Sequence, residues 1–235
     1  MSDKTLERIA SQHDTHTDFD GVLAHYTGQI IVPFVRNKIV LECGCSTGVI
    51  TEMIVDNIKE LDVVEGSEIY AQKVKERFDG KLRMFVSLFD DFEAERKYDV
   101  ILFLGVLHHL ETPIDTLKHL SRFLKDDGEL LISVPNMTSL HRRLGVAMGV
   151  VEDVYATSER NTFFEQYGRF DKQRLEAVVK DSGLNVKESY GFFLKPFPHS
   201  VMQDLELKQD VLDGLFQLGK EHSDLACQLF IRAQA

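Results

Sequence analysis

Cysteine is scarce: only Cys43, Cys45 and Cys227 occur in 235 residues. They form no framework of paired spacings, and two of them share one glycine-containing turn, so a disulfide scaffold is excluded and a reducing, cytoplasmic setting is expected. Cationic side chains are in deficit: 27 Lys and Arg face 38 Asp and Glu, a formal net charge of −11. A phosphate backbone would be repelled on average, which argues against nucleic acid as a partner. No apolar run approaches the roughly 20 residues needed to span a bilayer. The opening Met1-Ser2-Asp3-Lys4 also lacks the basic-then-apolar pattern of a secretory leader, so neither membrane nor export is expected. There is no internal repeat or low-complexity tract, no His-Glu-x-x-His pattern, and no nucleophile elbow followed by ordered acid and base partners. Repeat arrays, zinc peptidases and serine hydrolases are thereby set aside, and no metal site is expected.

What is present suits a folded core: 43% hydrophobic and 28% charged residues. The length fits a single α/β domain over 1–235. From residue 38 onward, short apolar runs alternate with helical patterns, the signature of βαβ units and a parallel sheet. The runs are 39–41, 61–64, 82–86, 100–104 and 130–134, with further strands expected at 184–192 and 225–232. Helices are expected at 48–59, 67–79, 114–124, 171–182 and 201–220, with Asp126-Asp127-Gly128 as the stop of the third. Residues 1–36 read as a helical N-terminal cap, in which Leu23, Ile30, Ile31 and Phe34 predict an amphipathic helix ending near Val35-Arg36. Within it, Ser11-Gln12-His13-Asp14-Thr15-His16 is either a polar linker or a flap over a ligand. Residues 136–170 contain no clear strand and read as a lid or substrate-shaping insertion after the fifth strand.

The chemistry starts at Glu42-Cys43-Gly44-Cys45-Ser46-Thr47-Gly48, which follows the first strand directly and opens a helix. Glycines there permit a tight turn and close approach of a ligand. Glu65 stands at the end of the next strand, 23 positions beyond Glu42, where a carboxylate can accept both hydroxyls of a ribose. A nucleotide-type cofactor follows. A pyrophosphate would be repelled by Glu42, whereas the ammonium of S-adenosyl-L-methionine would be attracted, which sets a nicotinamide dinucleotide behind it.

These blocks, together with Tyr98-Asp99-Val100-Ile101-Leu102-Phe103-Leu104-Gly105-Val106-Leu107-His108-His109-Leu110 and Leu124-Lys125-Asp126-Asp127-Gly128-Glu129-Leu130-Leu131-Ile132-Ser133-Val134-Pro135-Asn136, resemble the class I S-adenosylmethionine-dependent methyltransferases over most of residues 38–136. The resemblance implies a doubly wound, Rossmann-like, seven-stranded and mostly parallel sheet with a final antiparallel strand. It implies S-adenosyl-L-methionine as cofactor and S-adenosyl-L-homocysteine as product. It also places Gly66 beside Glu65, Leu88 and Phe89 around the adenine, and Gly105 beside the methionine moiety. Ser46 departs from the family, where glycine is commoner. Ser133-Val134-Pro135-Asn136, Tyr167-Gly168-Arg169-Phe170-Asp171 and the run from Gly191 to Pro196 resemble a bacterial branch associated with polysaccharide, sugar and small-metabolite methylation. Many of its members carry a histidine just before the Arg-Phe pair. Here Tyr167-Gly168 runs into Arg169, so no base is carried over from that position.

Methyl transfer from a sulfonium needs an acceptor held in line and shielded from water. For a hydroxyl acceptor a base helps, and His108 or His109, after the fourth strand, is the candidate; each has a structural packing role as its alternative. Asn136, His141, Arg142 and Arg143 are candidates for substrate binding, the arginines for a phosphate or carboxylate. The expected activity is methyl transfer to a small molecule, a hydroxyl of a sugar or related metabolite. N-methylation of a small amine and a non-catalytic cofactor-binding regulator are the alternatives, and a homodimer is left open.

Overall fold

Central strands read as nearly continuous apolar runs because both faces of the sheet are covered. Seven strands, β1 (Ile39–Cys43), β2 (Glu60–Glu65), β3 (Arg83–Val86), β4 (Tyr98–Leu104), β5 (Leu124–Pro135), β6 (Asn185–Phe192) and β7 (Gln228–Gln234), lie in the order β3-β2-β1-β4-β5-β7-β6. Pairings from β3 to β5 are parallel, and β7 runs antiparallel to both β5 and β6. This is the expected α/β sheet with one reversed, final strand. The coordinates are those of a computed structural model and describe residues 3–235, so Met1 and Ser2 of the expected cap lie outside the described residues.

Alternate strand residues enter two cores. Val40, Val63, Val100 and Leu102 face α2 (Phe19–Val35), α3 (Val49–Ile54), α4 (Glu68–Arg77), α9 (His199–Asp204) and α10 (Gln209–Glu221). Leu41, Ile101, Phe103 and Ile132 face α5 (Pro113–Ser121) and α8 (Lys172–Asp181). Each such side chain contributes about 1.5–3 kcal/mol on burial. The remaining helices are α1 (Asp3–Gln12), α6 (Leu140–Ala147) and α7 (Glu159–Phe163).

Three expectations change in detail. The helix expected over 48–59 closes at Ile54, and the one expected over 201–220 is two helices, α9 and α10. Asp126-Asp127-Gly128 does not stop a helix, since α5 ends at Ser121. Those residues bulge inside β5, where Tyr98 pairs with Leu124 but Val100 pairs with Glu129. Acidic residues followed by glycine suit a bulge as well as a helix stop. α1 was not anticipated as a separate helix.

Candidate active site

The parallel strands end along one edge of the sheet, and the loops leaving them line one cavity of about 450 Å³. Residues 44–46 enter it after β1, 65–66 at the end of β2, 87–90 after β3, 105, 106, 108 and 109 after β4, Asn136 after β5 and Lys195 after β6. Leu6 and Ile9 of α1, with His13 and Thr15, cover it. The α1 strap is tied down by Glu7, whose carboxylate accepts from the Glu68 amide at 2.6 Å and the Ser67 hydroxyl at 3.1 Å. The Tyr70 hydroxyl donates to the His13 carbonyl at 3.0 Å.

At the β1–β2 end, backbone and carboxylates dominate. Gly44 has φ +78°, and a Cβ there would sit 2.8 Å from Val106 Cγ2, so the turn needs glycine. Ser46 adopts the left-handed region at φ 47° despite its side chain, and its hydroxyl is 3.0 Å from that of Thr15. This is a local strain at the position where the motif departs from glycine. Glu65 Oε2 accepts from the Cys45 and Ser46 amides at 3.0 and 3.2 Å, and Oε1 accepts from the Ser67 amide at 2.9 Å. Burial raises the Glu65 carboxyl, and these hydrogen bonds oppose the rise. Glu42, also buried, accepts from the Thr51 hydroxyl at 2.8 Å. Burial, assisted by the nearby Glu65 charge and opposed by Thr51, pushes its carboxyl up to about 8.

Among the described residues, no Lys, Arg or His forms an ion pair with either carboxylate. Two buried carboxylates without a cation suit a ligand bearing an ammonium and a sulfonium, and Glu65 Oε1, which accepts from a single amide, keeps a lone pair for a ribose hydroxyl. Leu88 is exposed, and Phe89 lies edge-on to Phe103 at 5.3 Å; both line the cavity. Leu6 lies over Gly66, while Gly105, at φ +70°, opens onto the cavity with nothing near a would-be Cβ. Gly48 stands outside the cavity lining and starts α3 beside Val74 and Phe78.

The β4–β6 end carries nitrogen bases and cations. His108 is buried, its ring lies 4.1 Å from that of His109, and its Nδ1 has no hydrogen-bond partner among the described residues. His109 Nδ1 is 2.8 Å from the Phe164 carbonyl, so that nitrogen donates and Nε2 is left with the lone pair. Burial lowers His108 well below the ordinary range and His109 to about 4. Asn136 is consumed structurally: Nδ2 donates to the Ala226 carbonyl at 2.8 Å, and Oδ1 accepts from Thr138 at 2.9 and 3.0 Å. His141 lines the cavity, 3.1 Å from the Ser139 hydroxyl, and burial with the Lys195, His199 and Arg142 charges lowers it to about 2. Arg142 lines the cavity but donates to the Val154 and Ala156 carbonyls. Arg143 is exposed, donates to the Thr138 carbonyl at 2.6 Å, and takes no part in the cavity lining.

Sequence reasoning missed Asp20, Arg160, Lys195 and His199, all of which line the cavity. Arg160 bonds Asp18 at 3.0 Å and Asp20 more closely still. His199 Nε2 lies 2.7 Å from Asp20 Oδ1, and Lys195 Nζ lies 2.7 Å from His199 Nδ1. Burial opposes it, but the His199 hydrogen bond and the His199, Arg160 and His13 charges hold the Asp20 carboxyl far below its usual range. The fold also gathers His13, Asp18 and Asp20 within 4.8 Å, a spacing that would suit a cation, although Arg160 already pairs with both carboxylates. Of the four, only Lys195 falls in a stretch the sequence singles out, the run from Gly191 to Pro196, and no periodic pattern marks any of them.

The family model described as a methyltransferase domain matches residues 20–189. The ubiquinone biosynthesis O-methyltransferase of Rickettsia typhi is 25% identical over 243 aligned positions, covering 95% of this chain and 94% of that protein. The mitochondrial enzyme of the same name from Schizosaccharomyces pombe is 25% identical, covering 84% of this chain and 69% of its own. The match to the Rickettsia conorii enzyme, at 24% identity, spans 67% of this chain and about half, 54%, of that protein. Among solved structures, a Haloferax volcanii methyltransferase in complex with its Trm112 activator aligns with TM-score 0.67 at 15% identity, covering 100% of this chain and 99% of that one. The N-methyltransferase NodS of Bradyrhizobium japonicum, bound to S-adenosyl-L-homocysteine, aligns with TM-score 0.62 at 15% identity, covering 98% and 96%. At these identities the structural likeness speaks for the fold.

Proposed function

The chain belongs to the methyltransferase domain family, and from that premise we propose that it is an S-adenosylmethionine-dependent O-methyltransferase acting on a small ring-bearing hydroxyl compound. The observation that carries this reading is the pair of buried carboxylates, Glu42 and Glu65, without cation partners among the described residues, at one end of a cavity whose other end is basic. When bound, S-adenosylmethionine supplies an electrophilic methyl on a sulfonium. Glu42 would hold the ammonium and Glu65 a ribose hydroxyl. The turn Gly44-Cys45-Ser46 and Gly66 would bring backbone close to the ligand, Leu88 and Phe89 would flank the adenine, and Gly105 would leave room beside the methionine moiety.

At the acceptor end, His108, His109, His141 and Arg142 line the space that an acceptor would occupy, and α6 and α7 roof it. This supports the reading of residues 136–170 as a lid within one domain. Asn136 holds the end of β5 against the residues leading into β7, and we give it a positioning role. Arg142, which forms no ion pair among the described residues, places positive charge at this end, while Arg160 is paired with Asp18 and Asp20; that charge favours a hydroxyl that ionises over an amine that must shed its own charge. The relatives named for ubiquinone biosynthesis support an aromatic ring hydroxyl ahead of a sugar hydroxyl.

Isothermal titration with S-adenosylmethionine, S-adenosylhomocysteine and NAD tests the premise. The first two should bind, and Glu65→Ala should weaken them by roughly 100-fold, because the ribose loses a hydrogen bond to a charged acceptor worth about 1.5–3 kcal/mol. Binding of NAD alone would end the methyltransferase reading.

A further inference from the structure

We propose that Lys195 is the catalytic base that takes the proton from the acceptor hydroxyl, with His199 and Asp20 positioning it. The inference rests on the O-methyltransferase reading above. A carboxylate only accepts hydrogen bonds, so His199 Nε2 donates to Asp20 across 2.7 Å and Nδ1 is left with a lone pair. Lys195 Nζ, 2.7 Å from that nitrogen, therefore donates to it. One Nζ hydrogen is thus fixed in direction. No second hydrogen-bond partner of Nζ exists among the described residues, although Lys195 is only 2% exposed and lines the cavity. Its place is three residues past the end of β6, on the same sheet edge as Gly105 and Asn136.

Among the described residues, Lys195 also forms no ion pair with a carboxylate, the nearby Asp20 being paired with Arg160 and His199. It is surrounded by His199 of α9, Asp18 and Asp20 at the start of α2, Arg160 of α7, His141 of α6 and Cys227 before β7. Burial brings its ammonium down to about 8. A neutral amine there presents its lone pair to a hydroxyl, and its basicity lies far closer to that of a phenol, about 10, than His109 at about 4. In the step, the acceptor O–H bond breaks and an N–H bond forms on Nζ. The oxygen electron pair forms the O–CH3 bond while the C–S electrons return to sulfur. The new ammonium stays held by its hydrogen bond to His199 Nδ1, whose Nε2 is fixed by the Asp20 carboxylate, and its proton leaves to water when the product is released.

The test uses the full chain saturated with S-adenosylhomocysteine and 2-naphthol as probe, whose anion absorbs at longer wavelength than the neutral form. Wild type should ionise bound naphthol at least about one pH unit below free naphthol, a tenfold shift. Lys195→Met should abolish that shift with homocysteine-product affinity unchanged, and His199→Asn should reduce it. A shift that survives in Lys195→Met, or is fully restored by the fixed cation of Lys195→Arg, overturns the assignment. So does absence of a shift in wild type that binds S-adenosylhomocysteine. Failure to bind S-adenosylhomocysteine instead removes the methyltransferase reading beneath it.

Discussion

The two ends of the cavity are built in opposite ways. At the β1–β2 end, the groups lie in two short stretches, 42–48 and 65–67, and act through backbone amides, positive-φ turns and two carboxylates. At the β4–β6 end, Asp20, His108, His141, Arg160, Lys195 and His199 come from five separate parts of the chain and act through side chains. A ligand end made of backbone tolerates few residue types at each position, because φ and space are dictated there. An end made of side chains brought together by tertiary structure can change acceptor without disturbing the turn.

That contrast is sharpest at two glycines with similar φ. Gly44→Ala must put a Cβ 2.8 Å from Val106 at φ +78°, whereas Gly105→Ala meets only the strain of φ +70° in open space. Strain of about 1–3 kcal/mol applies to both, and overpacking adds about 1–3 kcal/mol only to the first. Chemical denaturation should therefore show Gly44→Ala as clearly less stable, with S-adenosylhomocysteine binding at least tenfold weaker. Naphthol ionisation, read at saturating product, should be unchanged. Equal losses in the two variants would break the comparison.

The carboxylate end also makes a proton prediction. Glu42 titrates near 8 in the free protein, so at pH 7 about nine-tenths of molecules carry its proton. A ligand ammonium beside it favours the ionised form, so binding should release close to one proton at pH 7 and about half at pH 8. Titration calorimetry in buffers of different ionisation enthalpy measures this, and Glu42→Gln should remove the release. The linkage for stability has a definite sign: because the folded value is raised, the contribution of Glu42 is full below the ordinary carboxylate range and is lost as pH rises through about 8. Ligand-free protein should lose thermal stability across that window, and bound ligand should reduce the loss.

The same division governs what could be read from the chain. The strands were legible because both faces of the sheet are covered, so Val40-Leu41 and Val100-Ile101-Leu102-Phe103 are apolar at successive positions. The turn was legible because its residue types answer to local φ and to one neighbouring strand end. The helix α1 was not, because Leu6 and Ile9 are too few apolar positions to stand out in ten residues. Lys195 and His199 sit on either side of a loop before α9, and Asp20 lies some 175 positions away, so no spacing rule connects them. Asp126-Asp127-Gly128 misled because a strand bulge and a helix stop use the same residues.

Arg142 and Arg143 give the smallest expected effect and the cleanest check on the acceptor end. Neighbours on a helix point about 100° apart, so an adjacent pair on α6 cannot both face one cavity. Arg142 lines the cavity and braces residues 154–156 by donating to two carbonyls, while Arg143 is exposed and reaches only Thr138 and, at 3.8 Å, Asp224. An exposed pair of that length is worth about 0–1 kcal/mol. Arg143→Ala should leave product affinity and naphthol ionisation within twofold of wild type and change stability by less than about 0.5 kcal/mol. Arg142→Ala should loosen residues 154–156, raise their amide exchange and weaken naphthol binding. A larger acceptor-end effect from Arg143 than from Arg142 would mean that α6 presents its other side to the ligand.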